Sequence, residues 1–332
     1  THTHAERVCI HICVYIYIYL SLSVCVRAYW RVSPECCFLV CVGLQVLMSG
    51  REGGSEAGPC DGGVAETQQL LCSIQDRDVS VSSPPPVPSE RLLTLAVAEF
   101  LGTTFLVYFG CMNATLMMHL GASKATMAIS GSLSWGLAVM MLVYSLGPVS
   151  GAHLNPVVSL TAFVFYGMKL RNYIVYTGVQ FLGGIVGAGL VLASVPGARS
   201  IGDGQVGSVG LGDGFSVWNA FVVEFLITFF LVFIILNVAW RPHTKVHNAG
   251  LELTGVYVGI VIGLCITCII ISTSPVGGAC MNPARFFGPA LVAWRWDVSW
   301  MYLTADPLGA LLAGLLHSTL FSHNRPKLDL GV

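Results

Sequence analysis

Two asparagines and one arginine carry the chemistry this sequence is equipped for. The stretches Ser150-Gly151-Ala152-His153-Leu154-Asn155-Pro156-Val157-Val158 and Gly277-Gly278-Ala279-Cys280-Met281-Asn282-Pro283-Ala284-Arg285 each run from small residues into Asn-Pro and then into an apolar run. Asn is a strong helix N-cap, and Pro is favoured at the first helical position, where its missing N–H is not needed. Each Asn-Pro therefore predicts a helix start. Gly167 and Gly288-Pro289 predict that both helices are short. Helix N-termini carry partial positive charge and free N–H groups. Two facing each other would form a positive centre, to which Asn155 and Asn282 add side-chain donors. A water there would accept both through its oxygen, which breaks a proton wire, and cations would meet a barrier. A single Asn would favour plain capping; a matched pair favours a pore.

The elements that must hold these boxes are apolar. Of the 332 residues 55% are hydrophobic and only 10% charged. Soluble domains carry about 25% charged residues, so this is the composition of a membrane protein. The net charge of -1 gives no electrostatic case for nucleic acid. Six segments are each long enough to cross a bilayer: Leu92–Met118, Ala125–Leu146, Asn172–Ser194, Val217–Trp240, Thr254–Ser274 and Trp300–Phe321. Short helices between such spans are tolerated where they are buried in protein or line a watery cavity. Ala98-Glu99-Phe100-Leu101 is answered by Val223-Glu224-Phe225-Leu226, each pair preceding one box at nearly the same distance. Three spans per copy invert the second copy, which sets the two short helices head to head near the midplane. The fold expected is an all-α membrane protein of six transmembrane helices plus two half-helices, an inverted 3+3 repeat, over residues 92–323 with copies at about 92–195 and 215–323.

Outside that domain, residues 1–47 begin with Thr and contain Tyr15-Ile16-Tyr17-Ile18-Tyr19, like a translated dinucleotide repeat; Met48 would be a natural start. They are expected to be non-native or derived from untranslated sequence, with a signal anchor around Val8 to Val26 as the rival. Residues 48–91 read as a disordered cytoplasmic tail rich in Gly, Ser and Pro, and 324–332 as a C-terminal tail. Arg91, Lys169, Arg171, Arg241, Lys245, Arg325 and Lys327 flank one side of the spans, against Lys124, Arg199 and Arg295 on the other. The excess places both termini in the cytoplasm. The Asn113-Ala114-Thr115 sequon lies at a span end, too close to the membrane for use. Six of the 12 cysteines lie in the first 41 residues, and the CxxC spacing of Cys265 and Cys268 falls inside an apolar span without His or carboxylate partners. No convergent nucleophile, base and metal set appears, so neither an enzyme nor a cofactor or metal site is expected.

The paired boxes resemble those of the aquaporin (major intrinsic protein) family, over about Leu92 to Phe321. Within it, Pro275 to Ala290, Trp300-Met301-Tyr302 and Leu311 to Leu316 are most similar to the aquaporin 8 group. The resemblance implies a passive channel for water and small uncharged solutes, plausibly ammonia and hydrogen peroxide. It implies a homotetramer in the lipid bilayer, each subunit with its own pore, and the plasma membrane is expected. The pore boxes become Asn155, Pro156, Val157 and Asn282, Pro283, Ala284. The selectivity filter falls on Trp135, Ile270, Ala279 and Arg285. Arg285 would replace water's hydrogen bonds while repelling cations. His153, at the cytoplasmic mouth, and Cys280 are expected next to the pore. Glu99 and Glu224 are expected as structural carboxylates that accept from the box backbones; intramembrane acids otherwise default to function. Three departures stand out: Val157 in place of Ala, Trp135 where the aquaporin 8 group usually has His, and Asp306 in Thr304-Ala305-Asp306-Pro307 where the last span usually has Gly-Pro. Trp with Arg suggests a glycerol-type channel, although Phe286 stands where those channels usually have Asp. A proton-coupled transporter using Glu99 and Glu224 and a non-conducting adhesion protein complete the alternatives.

Overall fold

The structure, a computed structural model, describes residues 89–199, 206–240 and 254–321, and all their regular structure is helical. The expected segments 1–47 and 324–332 lie outside the described residues, as do Arg241, Lys245, Arg325 and Lys327 and the tail up to residue 88. The last residues of that expected tail are helical, because the first helix already begins at Ser89.

Among the described residues eight helices follow in order: α1 (Ser89–His119), α2 (Lys124–Ser150), α3 (Pro156–Phe165), α4 (Leu170–Ser194), α5 (Val217–Val238), α6 (Thr254–Gly277), α7 (Pro283–Ala293) and α8 (Ser299–Leu316). One π turn, His317–Phe321, extends the last. Five of them, α1, α2, α4, α5 and α6, are long and apolar enough to cross a membrane. The sixth expected span, α8, has 18 residues, with Asp306 and Pro307 breaking its apolar run. The short helices α3 and α7 have 10 and 11 residues. At 1.5 Å per residue they are about 15 and 16 Å long, each near half of a hydrocarbon core of about 30 Å.

Ser123 caps α2 by accepting from the Thr126 amide, and Ser216 caps α5 in a full capping box with Asn219. α3 stops before Gly167, as its sequence predicts. α7 does not stop at Gly288-Pro289; it continues to Ala293 and ends on Trp294 in the left-handed region. The glycine serves a close approach instead: a Cβ on Gly288 would run into the Gly184 carbonyl of α4.

The packing is that of an inverted repeat. The pair α1–α4 is matched by α5–α8, α1–α2 by α5–α6, α3–α8 by α7–α4, and α3–α4 by α7–α8, while α2 packs on α6, its own counterpart. At that central crossing Gly136 and Gly263 face one another; a Cβ on either would lie 2.6 Å from the other's carbonyl oxygen. Small residues allow such backbone contact between helices in lipid. Large apolar side chains point outward at helical spacing, for example Val97, Leu101, Phe105 and Phe109 on α1 and Trp218, Val222, Leu226 and Phe230 on α5. In water such stripes would be costly; against acyl chains they are the favoured surface.

Candidate functional site

The two short helices meet through their first residues. Asn155 is the N-cap of α3, with Oδ1 accepting from the Val157 amide at 3.0 Å. Asn282 is the N-cap of α7, with Oδ1 accepting from the amides of Ala284 (3.0 Å) and Arg285 (3.3 Å). Each Asn also reaches across: Asn155 Nδ2 donates to the Met281 carbonyl and Asn282 Nδ2 to the Leu154 carbonyl, both at 2.9 Å. One hydrogen of each Nδ2 is thus held by the opposite box, and the second remains for another acceptor.

The loops before the caps are strained in the same way. Ala152 and Leu154 in one, and Ala279 and Met281 in the other, have φ between 46° and 55°. Non-glycine residues there cost roughly 1–3 kcal/mol each and persist only where surroundings over-determine them. Here alternate left-handed residues turn successive amides to one side, forming a concavity for an anion, and a buried carboxylate fills each. Glu99 accepts from the amides of His153 (2.9 Å) and Leu154 (2.7 Å), from Ser150 Oγ (2.7 Å) and from Gln180 Nε2 (2.8 Å). Glu224 accepts from the amides of Cys280 (2.9 Å) and Met281 (3.3 Å). The carbonyls of Leu154 and Met281 face the other way, toward the crossing Asn. Tyr176 donates to the Ser150 carbonyl (2.8 Å) and Tyr302 to that of Gly277 (2.6 Å), so each loop is held from a third helix.

The four expected filter positions are all buried. Arg285 and Trp135 are in contact: the guanidinium carbon lies 4.7 Å from the indole ring centroid, a cation–π arrangement. Arg285 Nη1 also donates to the Gly207 carbonyl at 3.3 Å. Trp135 rests on the bare backbone of Gly110, where a Cβ would collide with the ring. Ile270 and Ala279 belong to the same packed core as Trp135.

His153 is half-buried; its Nδ1 pairs with Ser159 Oγ at 3.0 Å and its ring lies edge-on to Tyr176. Trp240 lies beside it. The Cys280 thiol is buried in a packed cluster with Ala220, Phe286, Met301 and Tyr302 and donates to the Asn282 carbonyl at 3.4 Å. In the first segment, Asn113 accepts from Ser130 Oγ inside α1, and Thr115 is buried.

Sequence reasoning missed Gly207, which sits in a loop without motif or periodicity. It also missed Tyr176 and Gln180. A signal for these was present: Tyr176 and Tyr302 stand at matching places in α4 and α8, as do Gln180 and Asp306.

Comparison with known proteins agrees with this arrangement. The family described as Major intrinsic protein matches residues 87–317. Similar proteins include Aquaporin NIP1-1 of Arabidopsis thaliana, 34% identical over 76% of this chain and 79% of that one. Nodulin-26 of Glycine max is 32% identical over 79% of this chain and 90% of its own length. Probable aquaporin TIP1-2 of Oryza sativa subsp. japonica is 32% identical over 75% and 94%. Among solved structures, the aquaglyceroporin from Plasmodium falciparum superposes with a TM-score of 0.59 at 25% identity, covering 69% of this chain and 97% of that one. These relatives are NIP- and TIP-type aquaporins, so they lend no support to the aquaporin 8 likeness. That likeness rested largely on the second box and α8, and the box residues hold a helix start, which any two-box channel needs. The chain belongs to the major intrinsic protein family and is a multi-helix membrane channel of the aquaporin kind.

Proposed function

We propose that the chain is a passive channel for water and small uncharged solutes, ammonia and hydrogen peroxide among them, conducted between the two helix starts. The observation that carries this is the reciprocal bonding of Asn155 and Asn282 to the opposite box. It sets two N-termini, each equivalent to about half a positive charge, against one another. Each Asn keeps one free N–H. A water that accepts from both is oriented with its hydrogens outward, and a cation meets only positive potential. In this reading Trp135, Ile270, Ala279 and Arg285 form the filter. Pro156, Val157, Pro283 and Ala284 shape the helix starts, and His153 belongs to the cytoplasmic mouth. The subunits form a homotetramer in the plasma membrane with both termini cytoplasmic.

The filter contact bears on substrate range. A 4.7 Å stack leaves no slot between guanidinium and indole, so solutes pass beside the pair, along Ile270 and Ala279. Apolar walls with one donor edge favour compact solutes over extended ones, with ammonia losing less hydration than peroxide. The alternative, a glycerol facilitator, draws on the same Trp–Arg pair and on the likeness to a solved aquaglyceroporin. Proteoliposome permeability to water, ammonia, peroxide and glycerol, measured side by side, tests both. Glycerol flux equal to or above that of peroxide selects the facilitator, and no flux above empty vesicles for folded protein overturns the channel.

A further inference from the structure

The last span carries a buried acid for which the pore architecture described so far has no use. Asp306 is fully buried in α8. Its Oδ1 accepts from Thr228 Oγ1 at 3.2 Å, and its Oδ2 accepts from no donor among the described residues. The charges acting on it are those of Glu224 and, less strongly, Arg285. The Arg285 Nη1 is committed to the Gly207 carbonyl and the guanidinium lies on the Trp135 ring.

The repeat shows what the position does. In the first copy, Gln180 lies one turn beyond Tyr176 on α4 and donates its amide to Glu99. In the second copy, Asp306 lies one turn beyond Tyr302 on α8, the place Gln180 holds on α4, and is bonded to Thr228, one turn beyond Glu224 on α5. Thr103, one turn beyond Glu99, finds no partner among the described residues. A carboxylate at the Gln180 position would set two negative charges against each other in a buried site, and such pairs do not both ionise. Glu224 receives two backbone amides, which favour its charged form. Asp306 receives one hydroxyl.

We propose that Asp306 is a positioning residue that carries a proton on Oδ2 and donates it to the Glu224 carboxylate, as the Gln180 amide does to Glu99. Through Glu224 it fixes the amides of Cys280 and Met281, and so the Met281 carbonyl that receives Asn155. No bond other than the hydrogen bond forms, and the proton stays on Asp306. The inference rests on the channel reading for its flux measurement but not for its spectroscopic one.

The test uses the full chain in liposomes at neutral pH. The infrared carbonyl band of a protonated carboxylic acid should be present in the wild type, shift when aspartate rather than glutamate carries a carbon-13 carboxyl label, and disappear in Asp306→Asn. Asn restores a neutral donor, so Asp306→Asn should keep water flux within about twofold of the wild type, whereas Asp306→Leu, which strands the Glu224 side, should lose roughly tenfold per folded protein. Absence of the band in the wild type, a shift with labelled glutamate alone, or an Asn variant as impaired as the Leu variant would each overturn the proposal. If Asp306→Leu does not fold, the band and the Asn variant still decide.

Discussion

Glu99→Gln should be far more damaging than Glu224→Gln, although the two carboxylates occupy equivalent places in the repeat. Glu99 gathers four donors, two on each oxygen: Ser150 Oγ and the His153 amide on Oε1, the Leu154 amide and Gln180 Nε2 on Oε2. A glutamine keeps one oxygen and turns the other into a donor, so two of the four donors face an NH₂ group. Hydrogen bonds to a charged group contribute about 1.5–3 kcal/mol each, which puts the loss at roughly 3–6 kcal/mol. The lower end applies if the Ser150 hydroxyl turns to accept. Glu224 takes the Cys280 and Met281 amides, both within reach of Oε2, beside the Asp306 proton proposed above. A glutamine oxygen placed there retains both amide bonds, and its NH₂ can donate to Asp306 in place of accepting from it, so mainly the charge assistance is lost, about 1 kcal/mol. For a domain of this size 1 kcal/mol moves Tm by about 2–4 °C, so Glu99→Gln should lower Tm by roughly 6 °C or more and Glu224→Gln by about half that or less. Thermal unfolding of purified protein, followed by stopped-flow water flux at matched folded protein, reads both quantities. Equal Tm shifts would show that donor count is not what holds the loops.

Replacing Asn155 or Asn282 by Asp should reduce water flux or admit cations, because a carboxylate cancels the positive field at the helix starts; unchanged flux and unchanged conductance in both variants would remove the role given to them. Cys280 lies inside a packed cluster, so brief exposure to a mercurial should inhibit the wild type and Cys280→Ser equally, and rapid inhibition abolished in the Ser variant would place the thiol on the pore after all. Trp135→His removes the ring from beneath Arg285, an interaction of about 0.5–2 kcal/mol, and should lower the glycerol-to-water permeability ratio; an unchanged ratio at matched protein amount means Trp135 only packs. Lys124 pairs with Asp213 at 2.6 Å, and the Lys124 hydrogen bond and charge hold the Asp213 carboxyl below its usual range. The small contribution of this exposed pair is therefore present above the ordinary carboxylate range and lost as pH falls through the depressed value. The Tm values of wild type and Asp213→Asn should differ slightly at neutral pH in low salt and converge in acid; a difference that grows in acid reverses the sign of the argument.

Much of the scaffold was legible because two strong local signals agree with a global one. Asn-Pro caps a helix wherever it occurs, and apolar runs of membrane length flank both copies, so the helix starts at Pro156 and Pro283 and five of the spans follow from composition and capping alone. What escaped has physical reasons. Gly288-Pro289 reads locally as a helix stop. Yet it lies inside α7, where the missing Cβ of Gly288 lets that helix pack against Gly184 of α4. Gly207 has no sequence mark, since a carbonyl acceptor is available on every residue and only the fold brings this one to Arg285. Counting residues from Asn282 does not fix the direction of the Cys280 side chain. In a loop of alternating left-handed residues, neighbouring side chains point to opposite sides.

The repeat is strict where backbone must be held and loose beside it. Glutamate, tyrosine and asparagine recur at matching places, and each makes the same bond in both copies, because two identical strained loops need identical supports. The next layer differs. Around Glu99 stand Ser150, His153, Ser159 and Gln180, a connected polar network. Around Glu224 stand Gly277, Cys280, Phe286 and Asp306, so two of those four positions have no hydrogen-bonding side chain, Cys280 keeps a weak thiol donor to the Asn282 carbonyl, and the fourth has become an acid. In the channel proposed above, a polar network on one side keeps donors and acceptors near the His153 mouth. Apolar packing on the other leaves Arg285 and the Trp135 ring as the main polar groups of the proposed filter. On that reading symmetry fixes the midplane geometry, and its breaking separates a mouth that can exchange hydrogen bonds with solutes from one that sorts them by size and desolvation.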